Sequence, residues 1–177
     1  QVYKAAKGID LPVFHTESNL NFYFSRGTDP RIQKMQGAIY NALVFRTSML
    51  KGYSSAIYFH FASSASEWQT KSSGGLGFGM VNLDDKKPWY PYYVHKMLGN
   101  NLAVGDRIVE SSSNSEDMRV IAWIHGGKLN VLLILKVNEP RTIYLKGITN
   151  QVNYFKLDNS VSWKTAKIQT GTISPSN

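Results

Sequence analysis

Apolar residues recur at helical spacing through Ile32, Met35, Ile39, Leu43 and Leu50, with Ala42 and Met49 beside them. That period predicts a helix with one buried face. Asp29-Pro30 reads as an N-cap followed by a proline at the first helical position, and Gly52 reads as the stop. Before this helix a short apolar strand is predicted through Val13 and Phe14, ending at Glu17. After it, residues 55–62 (Ser-Ala-Ile-Tyr-Phe-His-Phe-Ala) predict an aromatic-rich strand bounded by polar residues. Residues 63–79 then predict a long loop holding Trp68 and the glycines Gly74, Gly75, Gly77 and Gly79. Loops of that length in compact domains are usually functional or disordered. Asp84-Asp85 marks a turn, and residues 88–98, with Trp89, Tyr90, Tyr92 and Tyr93, predict a second helix closed by Gly99.

From Asp106 onward the pattern changes to strands at short intervals. Residues 117–125 and 128–138 flank Gly126-Gly127, a two-residue hairpin turn. The run from Leu129 to Leu135 is apolar nearly throughout, as expected of a strand buried on both faces. Further strands are predicted over 141–146, 152–157 and 162–168, which together make a β-sandwich pattern. The join lies near residues 99–104, so the expected domains are 1–101 and 102–177.

Composition narrows the function classes. The chain has 177 residues, 42% of them hydrophobic, enough for a core. It contains no apolar run of the ~20 residues that a membrane-spanning helix takes. Residues 1–11 do not read as a secretory signal, because Lys4, Lys7 and Asp10 interrupt them. With no cysteine, disulfides, thiolate metal sites and a cysteine nucleophile are excluded. The formal charge is +8, but the twenty Lys and Arg are spread from Lys4 to Lys167 and the longest basic run is Lys86-Lys87. That is a solvated surface rather than a nucleic-acid footprint. The many Ser, Asn, Thr and Tyr residues suit an exported, polysaccharide-facing protein.

Glu17 carries the most chemical information. It stands at the tip of a predicted strand, before polar residues, with a helix and a second aromatic strand following. That order fits one turn of a (β/α)8 barrel with a carboxylate on a strand end. A capping or loop hydrogen bond fits it as well. His15 shares Glu17's side of the strand by period-two alternation, and His60 lies on the next strand. Each reads either as a donor to the carboxylate or as a packed histidine. His15, Glu17 and His60 have the residue types of a two-histidine, one-carboxylate metal set, but their spacing is not a known ligand pattern. No Gly-x-Ser-x-Gly elbow supports a serine triad, and the loop glycines lack the lysine of a phosphate cradle.

Thr16-Glu17-Ser18-Asn19, Ala38-x-x-x-Ala42, Gly79-Met80-Val81 and Lys87-Pro88 occur in an order that resembles the C-terminal part of retaining (β/α)8-barrel glycoside hydrolases. Enzymes of the β-xylosidase and α-L-iduronidase type, in the clan of cellulases and mannanases, are the nearest look-alikes. The resemblance implies the last two βα units of a TIM-type barrel followed by an antiparallel β-sandwich. It implies hydrolysis of β-glycosidic bonds in oligo- or polysaccharides by double displacement, with Glu17 as nucleophile and no cofactor. Retaining enzymes need a second carboxylate about 5–5.5 Å away as acid/base. By the resemblance the acid/base lies on a strand outside this sequence, and Glu67 reads either as a substitute for it or as a rim residue of the cleft. The chain alone is therefore expected to be inactive, and its partner is expected to be the missing N-terminal part of the same enzyme. Trp68 reads as a platform for a sugar ring or as a Trp packed under its loop, and Tyr58 as a weaker substrate contact. The rival function is a non-catalytic carbohydrate-binding or assembly module. Secretion is the expected localisation.

Overall fold

Helix α1 (Met35–Lys51) forms where the apolar period runs, and it stops where Gly52 takes a left-handed conformation, φ 66°. The Gly52 N–H closes the last turn on the Met49 carbonyl at 3.2 Å. α1 starts at Met35 rather than at Pro30, because Asp29 organises a turn of its own. Its carboxylate accepts from the Arg31 N–H at 3.0 Å and from the Arg31 guanidinium, and its carbonyl accepts from the Ile32 N–H at 3.0 Å. The computed structural model describes residues 11–21, 29–64, 77–159 and 167–174.

Strand β1 (Phe14–Ser18) precedes α1, and β2 (Ser55–Tyr58) follows it and lies parallel to β1. The helix is thus the crossover between two parallel strands, as parallel pairing requires. The predicted strand over 55–62 divides: β2 ends at Tyr58, and Ala62–Ser63 form a separate short strand, β3, parallel to β4 (Val81–Asn82). Helix α2 (Tyr90–Gly99) has Pro91 in its first turn, where a missing N–H costs no intrahelical bond. β5 (Arg107–Val109), β6 (Met118–His125) and β7 (Lys128–Leu135) form an antiparallel sheet in chain order. Gly126 and Gly127 both have positive φ, 54° and 76°, the requirement of a tight hairpin turn. β8 (Val152–Lys156) pairs antiparallel with β9 (Gln169–Ile173).

A single hydrophobic cluster joins helices and sheet. It holds Ala38 and Ala42 of α1, Tyr90, Val94 and Leu98 of α2, and Ile121, Trp123 and Ile134 of β6 and β7. Ile121 and Trp123 are two apart on β6, so strand alternation sends both to the helix side. Polar ties fix the packing. The Arg46 guanidinium donates to the Val120 carbonyl at 2.8 Å, and the Trp123 indole donates to the Asn101 carbonyl at 2.6 Å.

The expectation of a barrel end followed by a β-sandwich is overturned. Among the described residues there are two helices and four small sheets, and none closes on itself or stacks as a sandwich. Among the described residues β1 and β2 pair only with each other. Residues 141–146 are not a strand, and the predicted strand over 162–168 falls largely outside the described residues. β9, which the sequence pattern does not predict, pairs with β8. Among the described residues the three-stranded sheet packs on helices rather than on a second sheet. Among the described residues β7 is an edge strand, and it is not buried on both faces: Leu129 and Val131 are 50% and 38% exposed. Periodicity reports which local segment forms, whereas barrel closure and sheet stacking depend on pairings between distant segments.

Candidate functional site

The tips of β1 and β2 carry the predicted catalytic residue. Phe14 pairs with Ser55 and His15 with Ala56, but Ser18 pairs with Tyr58, so one extra residue lies in β1 between His15 and Ser18. This irregularity is a bulge, a feature that re-aims a side chain and is over-represented beside active sites. Thr16 and Glu17 lie in it, and both are exposed. The bulge also breaks the alternation that put His15 and Glu17 on one side. His15 is half-buried in the strand.

The two residues after Glu17 are held firmly. Ser18 is buried, and its hydroxyl donates to the Ile57 carbonyl at 3.0 Å. The Asn19 amide donates to the Phe59 carbonyl and, at 3.0 Å, to the Phe78 carbonyl, while its oxygen accepts from the Leu20 N–H at 2.7 Å. Phe78 also accepts from the His60 backbone N–H at 3.4 Å. One carbonyl thus links the β1 tip, the β2 tip and the segment leading into β4. That segment is pinned in turn: the Gly79 N–H donates to the Ser63 hydroxyl at 2.7 Å, and a Cβ on Gly79 would come within 2.5 Å of the Ser63 nitrogen. Only glycine permits this approach. The Gln33 amide donates to the Gly77 carbonyl at 2.7 Å from below.

Behind β2 lies a buried polar cluster. Tyr58 is 9% exposed and meets the His95 ring edge-on, centroids 5.5 Å apart. Phe45 packs on the same ring at 4.9 Å, and Asn41, itself buried, has its amide 3.2 Å from His95 Nε2. Burial pushes the His95 pKa down to about 4, so the ring is neutral at pH 7. Burial likewise raises the Tyr58 pKa, with the Asn19 side chain opposing. Tyr58 therefore packs inward, against α2, at the end of the strand.

His60 follows β2 and is half-buried, its ring 4.9 Å from that of Phe59 across a cis peptide bond. Glu67 and Trp68 lie outside the described residues. Among the described residues no group of three or more His, Asp or Glu side chains is arranged to hold a metal ion. The sequence reading missed the part Asn19 plays as a clamp. Its signal was an Asn two residues after a strand-end Glu, a side chain able to satisfy carbonyls at a turn.

Comparison of the chain with protein-family models, with curated proteins and with solved structures finds no match.

Proposed function

We propose that this chain supplies the nucleophile of a retaining β-glycosidase, Glu17. The observation that carries the reading is the bulge at the end of β1, which leaves the Glu17 carboxylate exposed directly before the residues clamped by Ser18 and Asn19. A nucleophile needs an open approach for the anomeric carbon and a backbone that does not yield as the bond forms. In the first step a Glu17 oxygen bonds to the anomeric carbon as the glycosidic C–O bond breaks. The departing oxygen takes a proton from the acid/base. Water, deprotonated by that same group, then displaces Glu17 and restores the carboxylate. In this reading the acid/base comes from polypeptide outside this sequence, and the substrate is an extracellular oligo- or polysaccharide.

A chemical trap tests the assignment of Glu17. Dinitrophenolate leaves without a proton, so 2,4-dinitrophenyl 2-deoxy-2-fluoro-β-glycosides need a nucleophile but no general acid. The protein, with any polypeptide that copurifies, is incubated with the xyloside, glucoside and mannoside, then analysed by intact-mass and peptide mapping. The expected result is one fluoroglycosyl adduct on Glu17, absent from Glu17→Gln. No adduct with any of the three, or an adduct on another residue, overturns the reading.

The second reading is a non-catalytic carbohydrate-binding or assembly module. Strand β7 favours it: among the described residues its outer backbone edge has no partner strand, a template for pairing, and Leu129 and Val131 stay exposed on its face. Absence of the adduct together with concentration-dependent sedimentation would support this alternative.

A further inference from the structure

The β8–β9 hairpin carries an aromatic ring in an unusual setting. Tyr154 pairs directly with Gly171, and its ring lies across that glycine. A Cβ on Gly171 would come within 2.7–2.8 Å of the phenolic end of the ring. One side of the ring is thus supported by backbone, and the residue remains 36% exposed. A ring backed by a glycine and open on the other side is a fixed apolar plate.

The polar groups beside it are fixed too. Lys156 pairs with Gln169, two residues along each strand, so both share the sheet face of Tyr154 and Gly171. They lie about 7 Å along the strand from the ring, the span of two residues. The Lys156 ammonium donates to one Asp158 oxygen at 2.8 Å, and the Gln169 amide donates to the other at 3.2 Å. The Asp158 carbonyl accepts from the buried Tyr90 of α2 at 2.8 Å, which ties this end of the hairpin to the main core.

The geometry points to a carbohydrate-binding site on the β8–β9 hairpin, separate from Glu17, in which Tyr154 stacks on one pyranose ring and Lys156, Asp158 and Gln169 bond the hydroxyls of the next. Sugar rings present C–H faces that pack on aromatic plates, and their hydroxyls both donate and accept. An ammonium, a carboxylate and an amide held together supply partners for either role. A plate that needs no ordering on binding loses little side-chain entropy. Gly171 is the positioning residue, because any side chain there displaces the ring.

The site does not depend on catalysis by Glu17, so it is tested in the Glu17→Gln chain by isothermal titration calorimetry with xylohexaose, cellohexaose and mannohexaose. Binding of at least one is expected. Tyr154→Ala and Gly171→Val should each weaken it at least tenfold, while Tyr154→Phe, which keeps the plate, stays within threefold. Near-unchanged circular dichroism and urea midpoints for Tyr154→Phe and Gln169→Ala keep the comparison valid if Gly171→Val is poorly folded. Gln169→Ala should weaken binding severalfold. No binding by any of the three sugars, or an affinity indifferent to Tyr154→Ala, overturns the proposal, and neither result bears on the Glu17 adduct.

Discussion

The β6–β7 hairpin and the β1–β2 pair both carry large apolar residues, yet these end in opposite environments. β6 has two strand neighbours and two helices against one face, and Ile121 and Trp123 are lost from solvent there. Among the described residues β1 and β2 have only each other as strand partners, and Phe14 and Ile57 are 59% and 51% exposed. Apolar sequence supplies stability only where enough elements converge to cover it. The candidate chemistry lies in the less covered region, where the polar clamp of Ser18 and Asn19, rather than apolar burial, fixes the backbone.

The same truncation made in both regions sharpens that contrast. Ile121→Ala removes a side chain with no exposure at all and should cost about 2–5 kcal/mol, read from urea unfolding. Ile57→Ala, at a half-exposed position, should cost no more than about half of that, following the apolar area each removes from water. Equal losses would mean that Ile57 is covered in solution, and the contrast would fail.

The next effect is in pH. His95 titrates near 6.5 when unfolded and at about 4 in the folded protein, because burial among Phe45, Tyr58 and Asn41 disfavours its charge. The unfolded chain therefore binds more protons between those values. This contribution is complete above pH 6.5 and is lost as pH falls through the window to about 4, where it levels off. At full size the loss is of order 3 kcal/mol. Urea midpoints at pH 7.5 and pH 5 should differ for the parent protein and differ much less for His95→Gln. An equal pH response in the two would remove His95 as its source.

Asn19→Ala is smaller. It strips one donor from the Phe59 and Phe78 carbonyls, and a half-buried acceptor left short of a partner costs about 1–3 kcal/mol. The distinguishing readout is local. Amide hydrogen exchange should quicken at Phe59 and His60, whose N–H groups donate to Ser18 and Phe78, and stay unchanged in β6. Uniform acceleration across both regions would mean that the clamp belongs to the global core.

Local elements were legible in the sequence to the extent that their causes are local. Gly52 ends α1 through its own left-handed φ, and Gly126-Gly127 turn the β6–β7 hairpin through theirs. The barrel and sandwich were not legible, because their strands must find partners across the chain and the apolar run from Leu129 to Leu135 carries no record of what, if anything, covers its second face. The start of helix α1 is not legible, because Asp29-Pro30 looks the same whether it caps a helix or closes a turn on Arg31. At the site, the residue type at Glu17 was readable. The bulge was not, since it is a register relation between residues 15–18 and 56–58 that neither strand specifies alone.

The smallest stability effect concerns the residue that matters most for the proposed chemistry. Glu17 is exposed in the bulge, and among the described residues no hydrogen bond or ion pair engages its carboxylate. Glu17→Gln should therefore change unfolding free energy by less than about 0.5 kcal/mol, the range of surface substitutions that break no special feature. If Glu17 is the nucleophile, the same change abolishes the fluoroglycosyl adduct, because a neutral amide cannot form the ester. A large loss in chemistry at unchanged stability is what separates a reacting group from a structural one. A destabilisation above about 1 kcal/mol, beyond that surface range, would instead show the carboxylate making contacts that hold the β1 tip. The loss of adduct could then be ascribed to a displaced strand. Isosteric exchange at this single oxygen, measured by both readouts on one preparation, decides which of the two Glu17 is.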